Sequence, residues 1–147
     1  MHDFLLFLHI VGVAGWLGGG LHAFYAYSQI ARMGAPAGGE TLKGLEKKSG
    51  MYFGVTSGLV ILSGVGLVLT SDEFGWTDGF VLIGLGAFIL SGVLQSAFGK
   101  KANQRLTEAA TTGSGIDVAV RSWQFGSAWD LVILSIVVWA MVTKLGA

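Results

Sequence analysis

The sequence predicts an all-α, polytopic membrane protein, a bundle of four transmembrane helices running up and down with both termini outside. Three observations lead there. Of 147 residues, 52% are hydrophobic and only 12% charged, about half the roughly 25% charge of an average soluble domain; the mean hydropathy is +0.66. Twenty-four glycines accompany a single proline, Pro36. High glycine in apolar sequence is what closely packed membrane helices show, and one proline leaves long helices unbroken. Finally, charge-free stretches recur at the length of about 20 residues that a helix needs to cross a bilayer core of about 30 Å. Continuous apolar runs argue against a β-barrel, and the apolar fraction excludes disorder. Nine basic and nine acidic residues balance, which leaves no basic footprint for nucleic acid. With no cysteine, disulfides, iron–sulfur clusters, thiolate metal sites and cysteine nucleophiles drop out.

The chain reads as one domain, residues 1–147, with spans at about 4–31, 50–71, 79–99 and 122–143. The first span lacks the basic flank and small-residue cleavage site of a signal peptide, so it is expected to be retained. It carries Gly15 and Gly19 at the four-residue spacing of close helix contacts; Gly54 and Gly58 repeat that spacing in the second span, and Gly92 and Ser96 in the third. The connections at 32–50 and 100–121 are read as loops of about twenty residues, with 100–110 prolonging the third helix ahead of a flexible stretch at 111–115. The fourth span must include Asp130, because the apolar run that starts at Leu131 is too short to cross alone. Arg32, Lys43, Lys47 and Lys48 lie between spans one and two, and Lys100, Lys101, Arg105 and Arg121 between three and four. The turn at 72–78 holds only the acids Asp72, Glu73 and Asp78. The positive-inside rule makes the eight-residue basic side cytoplasmic, in a cell (inner) membrane, with Lys144 the lone exception. Trp76 and Trp123, at span ends, are expected to be interfacial anchors; Trp16 lies mid-span.

Polar groups inside spans are costly and are functional candidates by default. His9 comes first. Seven residues on, at 100° per residue, Trp16 returns to within about 20° of it. One helix face then reads His9, Gly12, Trp16, Gly20, Ala23, Tyr27: a possible ligand, an aromatic wall and small residues. A neutral imidazole can ligate haem iron or a metal ion. The alternative is a histidine near the outer interface bonded to a neighbour or to water, with the glycines serving packing rather than making room for a flat cofactor. A two-haem arrangement with His22 is disfavoured, since thirteen residues place it about 140° off the His9 face. By depth, His22, Gln95 and Asp130 fall in the inner half of the bundle. Asp130 lies nine residues, about 13 Å, beyond Arg121. An unpaired carboxylate there is expensive, so a contact with His22, Gln95 or Arg121 is expected; the alternative is a bond only to its own helix or to water.

The segment Leu8-His9-Ile10-Val11-Gly12-Val13-Ala14-Gly15-Trp16-Leu17-Gly18-Gly19 resembles the opening helix of several small membrane families. These include the HemJ-type protoporphyrinogen oxidases, the copper-resistance CopD-like proteins and a related family of small four-helix integral membrane proteins of unknown function; the ending Met141-Val142-Thr143-Lys144 is similar to that family's ending. The resemblance implies a haem- or porphyrin-associated histidine at His9. The Arg that HemJ-type enzymes carry after the Trp and the Lys of a later helix have no counterpart at 21–27 or 79–99, which sets this chain apart from porphyrinogen oxidation. Without cysteine, and with Met1, Met33, Met51 and Met141 scattered, no soft-metal path stands out. No phosphate loop, HExxH or GxSxG motif occurs, and no catalytic residue is assigned.

Three readings follow. The first is a protein that binds haem b, a porphyrin or a metal through His9, with Gly12, Trp16, Gly20 and Tyr27 around it, for electron transfer or haem handling. The second is a non-catalytic helical subunit, partnered in the bilayer by a second copy or a larger membrane complex. The third is a small transporter or proton relay on His22, Gln95 and Asp130, with Arg121 at its edge.

Overall fold

With no proline after Pro36 to interrupt them, the apolar runs form long helices, and the charged flanks continue them beyond the apolar limits. The computed structural model describes residues 1–144. It consists of α1 (His2–Ala31), α2 (Ala37–Thr70), α3 (Gly79–Leu94), a π-helical turn (Gln95–Gly99), α4 (Lys100–Thr112) and α5 (Ile116–Val142), with no strand among the described residues. α3, the π turn and α4 form one continuous rod, Gly79–Thr112, so four rods are long and apolar enough to cross a membrane. The protein is therefore an all-α, multi-pass membrane bundle.

Side-chain registers establish the alternation. Along α1 and α2, Leu5 faces Gly66, His9 faces Gly64, Gly12 faces Val60, Gly15 faces Thr56 and Gly19 faces Tyr52, so the two run antiparallel. α5 runs antiparallel to both α1 and α3: Gly20 meets Leu131 and Tyr27 stacks on Trp123, while Gly84 meets Met141 and Ser91 meets Asp130. α1 thus lies between α2 and α5, with α3 on the far side of α5. The backbones of α2 and α3 do not approach one another among the described residues, and the ring closes only at the basic end, where α4 packs against α2. Trp16 and Phe88 reach across the middle, ring centroids 5.7 Å apart and edge to face.

The best-buried cluster lies at that basic end: Tyr27, Ala31, Leu42, Leu106, Ala110, Val120 and Trp123. The loop expected at 32–50 is helical from Ala37, whereas the expected prolongation of the third helix over 100–110 is present and runs on to Thr112. Residues 37–48 and 100–112 are helical because Gly38, Gly39 and Leu42 on α2, and Leu106, Ala109 and Ala110 on α4, form buried faces opposite the charges. Water is the solvent there, so apolar faces are driven together; between lipid tails that drive is absent and helices meet by shape. Trp123 is likewise corrected. It is 6% exposed, stacked on Tyr27 and bonded through Nε1 to Asn103 Oδ1 at 2.6 Å, and so belongs to the basic-end core rather than to an interfacial belt. Trp76 remains exposed in the acidic turn. α4 ends at Gly113, whose left-handed φ of 75° lets its N–H cap Ala109 O at 2.9 Å. At the opposite end Lys144 Nζ reaches Glu73 at 3.3 Å, so the stray cation finds the acidic turn.

Candidate functional site

His9 sits on the α2-facing side of α1, its ring over Gly64, where a Cβ would stand 3.2 Å from Cε1. Its Nδ1 lies 3.0 Å from Val60 O and 3.2 Å from Ser63 Oγ. A carbonyl oxygen can only accept, so Nδ1 carries the hydrogen; Ser63 Oγ donates its own to Leu59 O and also accepts from the ring. In the neutral imidazole this leaves Nε2 as a lone-pair donor. Nε2 makes no hydrogen bond among the described residues, and no buried side-chain nitrogen or oxygen there is left without a partner. Nε2 is therefore not fully buried. Val60, Ser63 and Gly64 were not singled out from the sequence; their one signal is a small or polar residue on each side of one turn of α2.

The remainder of the predicted face divides between packing partners. Gly12 is buried, and a Cβ there would come within 2.9 Å of Val60 Cγ2. Gly20 is covered by Leu131, 3.1 Å from where its Cβ would be. Gly15 and Gly19 form a shelf for the Tyr52 ring, whose hydroxyl donates to Gly15 O at 2.7 Å. Trp16 packs on Phe88. Tyr27 belongs to the basic-end core and shares a 2.6 Å hydrogen bond with Ser49. In this packing Gly12, Gly15, Gly19 and Gly20 are each covered by a side chain of α2 or α5.

A second polar centre joins α3 to α5. Asp130 accepts from Ser91 Oγ at 2.8 Å through Oδ1 and from the Gln95 amide through Oδ2. Of the contacts expected for Asp130, the one with Gln95 is present. His22 and Arg121 are exposed and make no ion pair with Asp130. The reason is angular: His22 is two residues, about 200°, round from Gly20, the position that faces α5. Arg121 is too far down its own helix. Ser91, 8% exposed, went unnoticed in the sequence, although it lies one turn before Gln95 and therefore on the same helix face.

Among the described residues no group of three or more His, Asp or Glu side chains could hold a metal ion. No family model, curated protein or solved structure matches the chain.

Proposed function

We propose that the chain is a multi-pass protein of the cell (inner) membrane, termini outside, in which His9 would hold haem b, a related porphyrin or a metal ion, for electron transfer or haem handling. The observation that carries the reading is the bonding of His9. Ligating histidines characteristically donate the opposite ring N–H to a carbonyl, which fixes tautomer and orientation; here Val60 O accepts from Nδ1 and Nε2 is left without a hydrogen-bond partner among the described residues. The imidazole fits the group, and the filled interior beside Gly12 and Gly20 does not. The residues that would hold the group are therefore those around the imidazole rather than the glycine face. Val60 and Ser63 set the ring's angle there, and Gly64 leaves room for it. A bound haem would supply one-electron chemistry.

The test is a reduced-minus-oxidised visible spectrum of the detergent-purified protein, before and after haemin titration. Haem bands that vanish in His9→Ala and persist in His22→Ala, with helix content unchanged by circular dichroism, support the reading. A metal-free preparation that stays colourless after haemin addition sinks it. A second reading, a non-catalytic subunit in a homo-oligomer or larger complex, is favoured by one observation. Gly54, Gly58 and Gly92 have nothing within 4 Å of where a Cβ would be, so their small-residue faces are unpartnered within one chain. Its measurement is the mass of the detergent-solubilised particle.

A further inference from the structure

Asp130 is the one Asp, Glu, Lys or Arg whose place in the sequence falls inside the hydrocarbon. A carboxylate there needs a counter-charge or must be neutralised in another way. Among the described residues no fixed counter-charge forms an ion pair with it. α3 (Gly79–Leu94) and the π turn (Gln95–Gly99) contain no ionisable side chain. On α1, His2, Asp3 and His9 lie toward the opposite end and His22 points away. α4 bears Lys100, Lys101, Arg105 and Glu108, and the start of α5 bears Asp117 and Arg121; none of these forms an ion pair with Asp130. Instead both carboxylate oxygens are held by neutral side chains, Ser91 and Gln95.

Those two residue types are informative, because a hydroxyl and a primary amide can each donate or accept. Around an ionised carboxylate, Ser91 Oγ–H and the Gln95 NH2 donate. Around a protonated carboxyl, Gln95 accepts after a half-turn of its amide. With a small cation present, the Asp130, Ser91 and Gln95 oxygens can all turn toward it. The backbone leaves space for that motion. Gln95 opens the π-helical turn, and Gly99 lies where any Cβ would strike Gln95 Oε1. π-helical turns inside α-helices recur at functional sites. Ser91 is buried while Gln95 is exposed, so the site is walled on one side and open on the other. We propose that Ser91, Gln95 and Asp130 form an exchange site for one small monovalent cation, a proton or Na+, at mid-depth between α3 and α5. The proposal uses none of the His9 residues and stands independently of the function proposed above.

The test uses the full chain in liposomes, treated with the apolar reagent dicyclohexylcarbodiimide, which modifies protonated carboxyls. Adducts are mapped by mass spectrometry from about pH 6 to about pH 9, in sodium or choline chloride. Asp130 is expected to be the labelled carboxyl, with labelling falling about tenfold per pH unit above its midpoint, as for a single titrating group. Asp130→Asn abolishes the adduct, and Gln95→Leu moves the pH of half-labelling by about one unit or more. Slower labelling in sodium than in choline identifies Na+ as an occupant; equal rates identify the proton alone. Absence of an Asp130 adduct throughout this range in folded protein, or labelling indifferent to both pH and sodium, overturns the proposal. The His9-dependent spectrum, read in Asp130→Asn, is expected to be unchanged.

Discussion

Trp123 stacks on Tyr27 with ring centroids 5.1 Å apart and donates its Nε1 hydrogen to Asn103 Oδ1 at 2.6 Å. With the indole 6% exposed, water has little access to replace that acceptor. Asn103→Ala is therefore expected to destabilise the protein by about 1–3 kcal/mol, the cost of a buried donor left unpaired. Arg32 and Asp117 also join two helices at the basic end, N to O 2.6 Å, yet their side chains are 50% and 74% exposed. Screening and side-chain entropy then leave little net gain, and Arg32→Ala is expected to change stability by less than about 0.5 kcal/mol. Thermal unfolding of both variants in one detergent checks the ranking. His9 and Asp130 follow the same rule of partner satisfaction: one is tied to a carbonyl, the other to a hydroxyl and an amide.

At the scale of elements, glycine marks two different surfaces that sequence spacing does not distinguish. A Cβ at Gly39 would overlap Thr111, with the Thr111 Cα only 2.7 Å away, whereas one at Gly54 would meet nothing within 4 Å. Gly39→Ala is expected to destabilise by about 1–3 kcal/mol, because backbone has to move. Gly54→Ala is expected to be neutral or to stabilise the monomer by up to about 1 kcal/mol through helix propensity. Equal unfolding midpoints for the two would refute the α2–α4 contact. The helices themselves were legible, because hydropathy and length suffice to identify a crossing segment. Their ends were less so: charge makes 32–50 read as a loop although it is helical from Ala37, while the third helix, legible to 110, runs on to Thr112. An amphipathic helix carries charge on one side and a core on the other, as Leu42 and Leu106 do. For the candidate site, depth placed Gln95 and Asp130 together correctly. His22 shares that depth but is exposed, because depth along a helix says nothing about the direction in which a side chain points.

For the whole molecule, the basic residues and the best-packed core coincide at one end, the end expected to be cytoplasmic. The absence of cysteine makes this directly testable. A membrane-impermeant maleimide is expected to modify Ser114→Cys only in inside-out vesicles and Thr77→Cys only in right-side-out ones; the reverse pattern inverts the topology. The amino-acid sequence by itself determined the membrane class, the four crossings and the division of charge between the two ends, since each is a sum along the chain. Only the tertiary structure decided which way each helix is turned about its axis. That rotation puts Gly12 on Val60, Gly20 on Leu131, Ser91 on Asp130 and His22 outward. The physical reason is the solvent. In water a helix's polar face identifies its outside, but in lipid the outer and inner faces are both apolar, so rotation is fixed by the fit of neighbouring side chains and by the few hydrogen bonds between them.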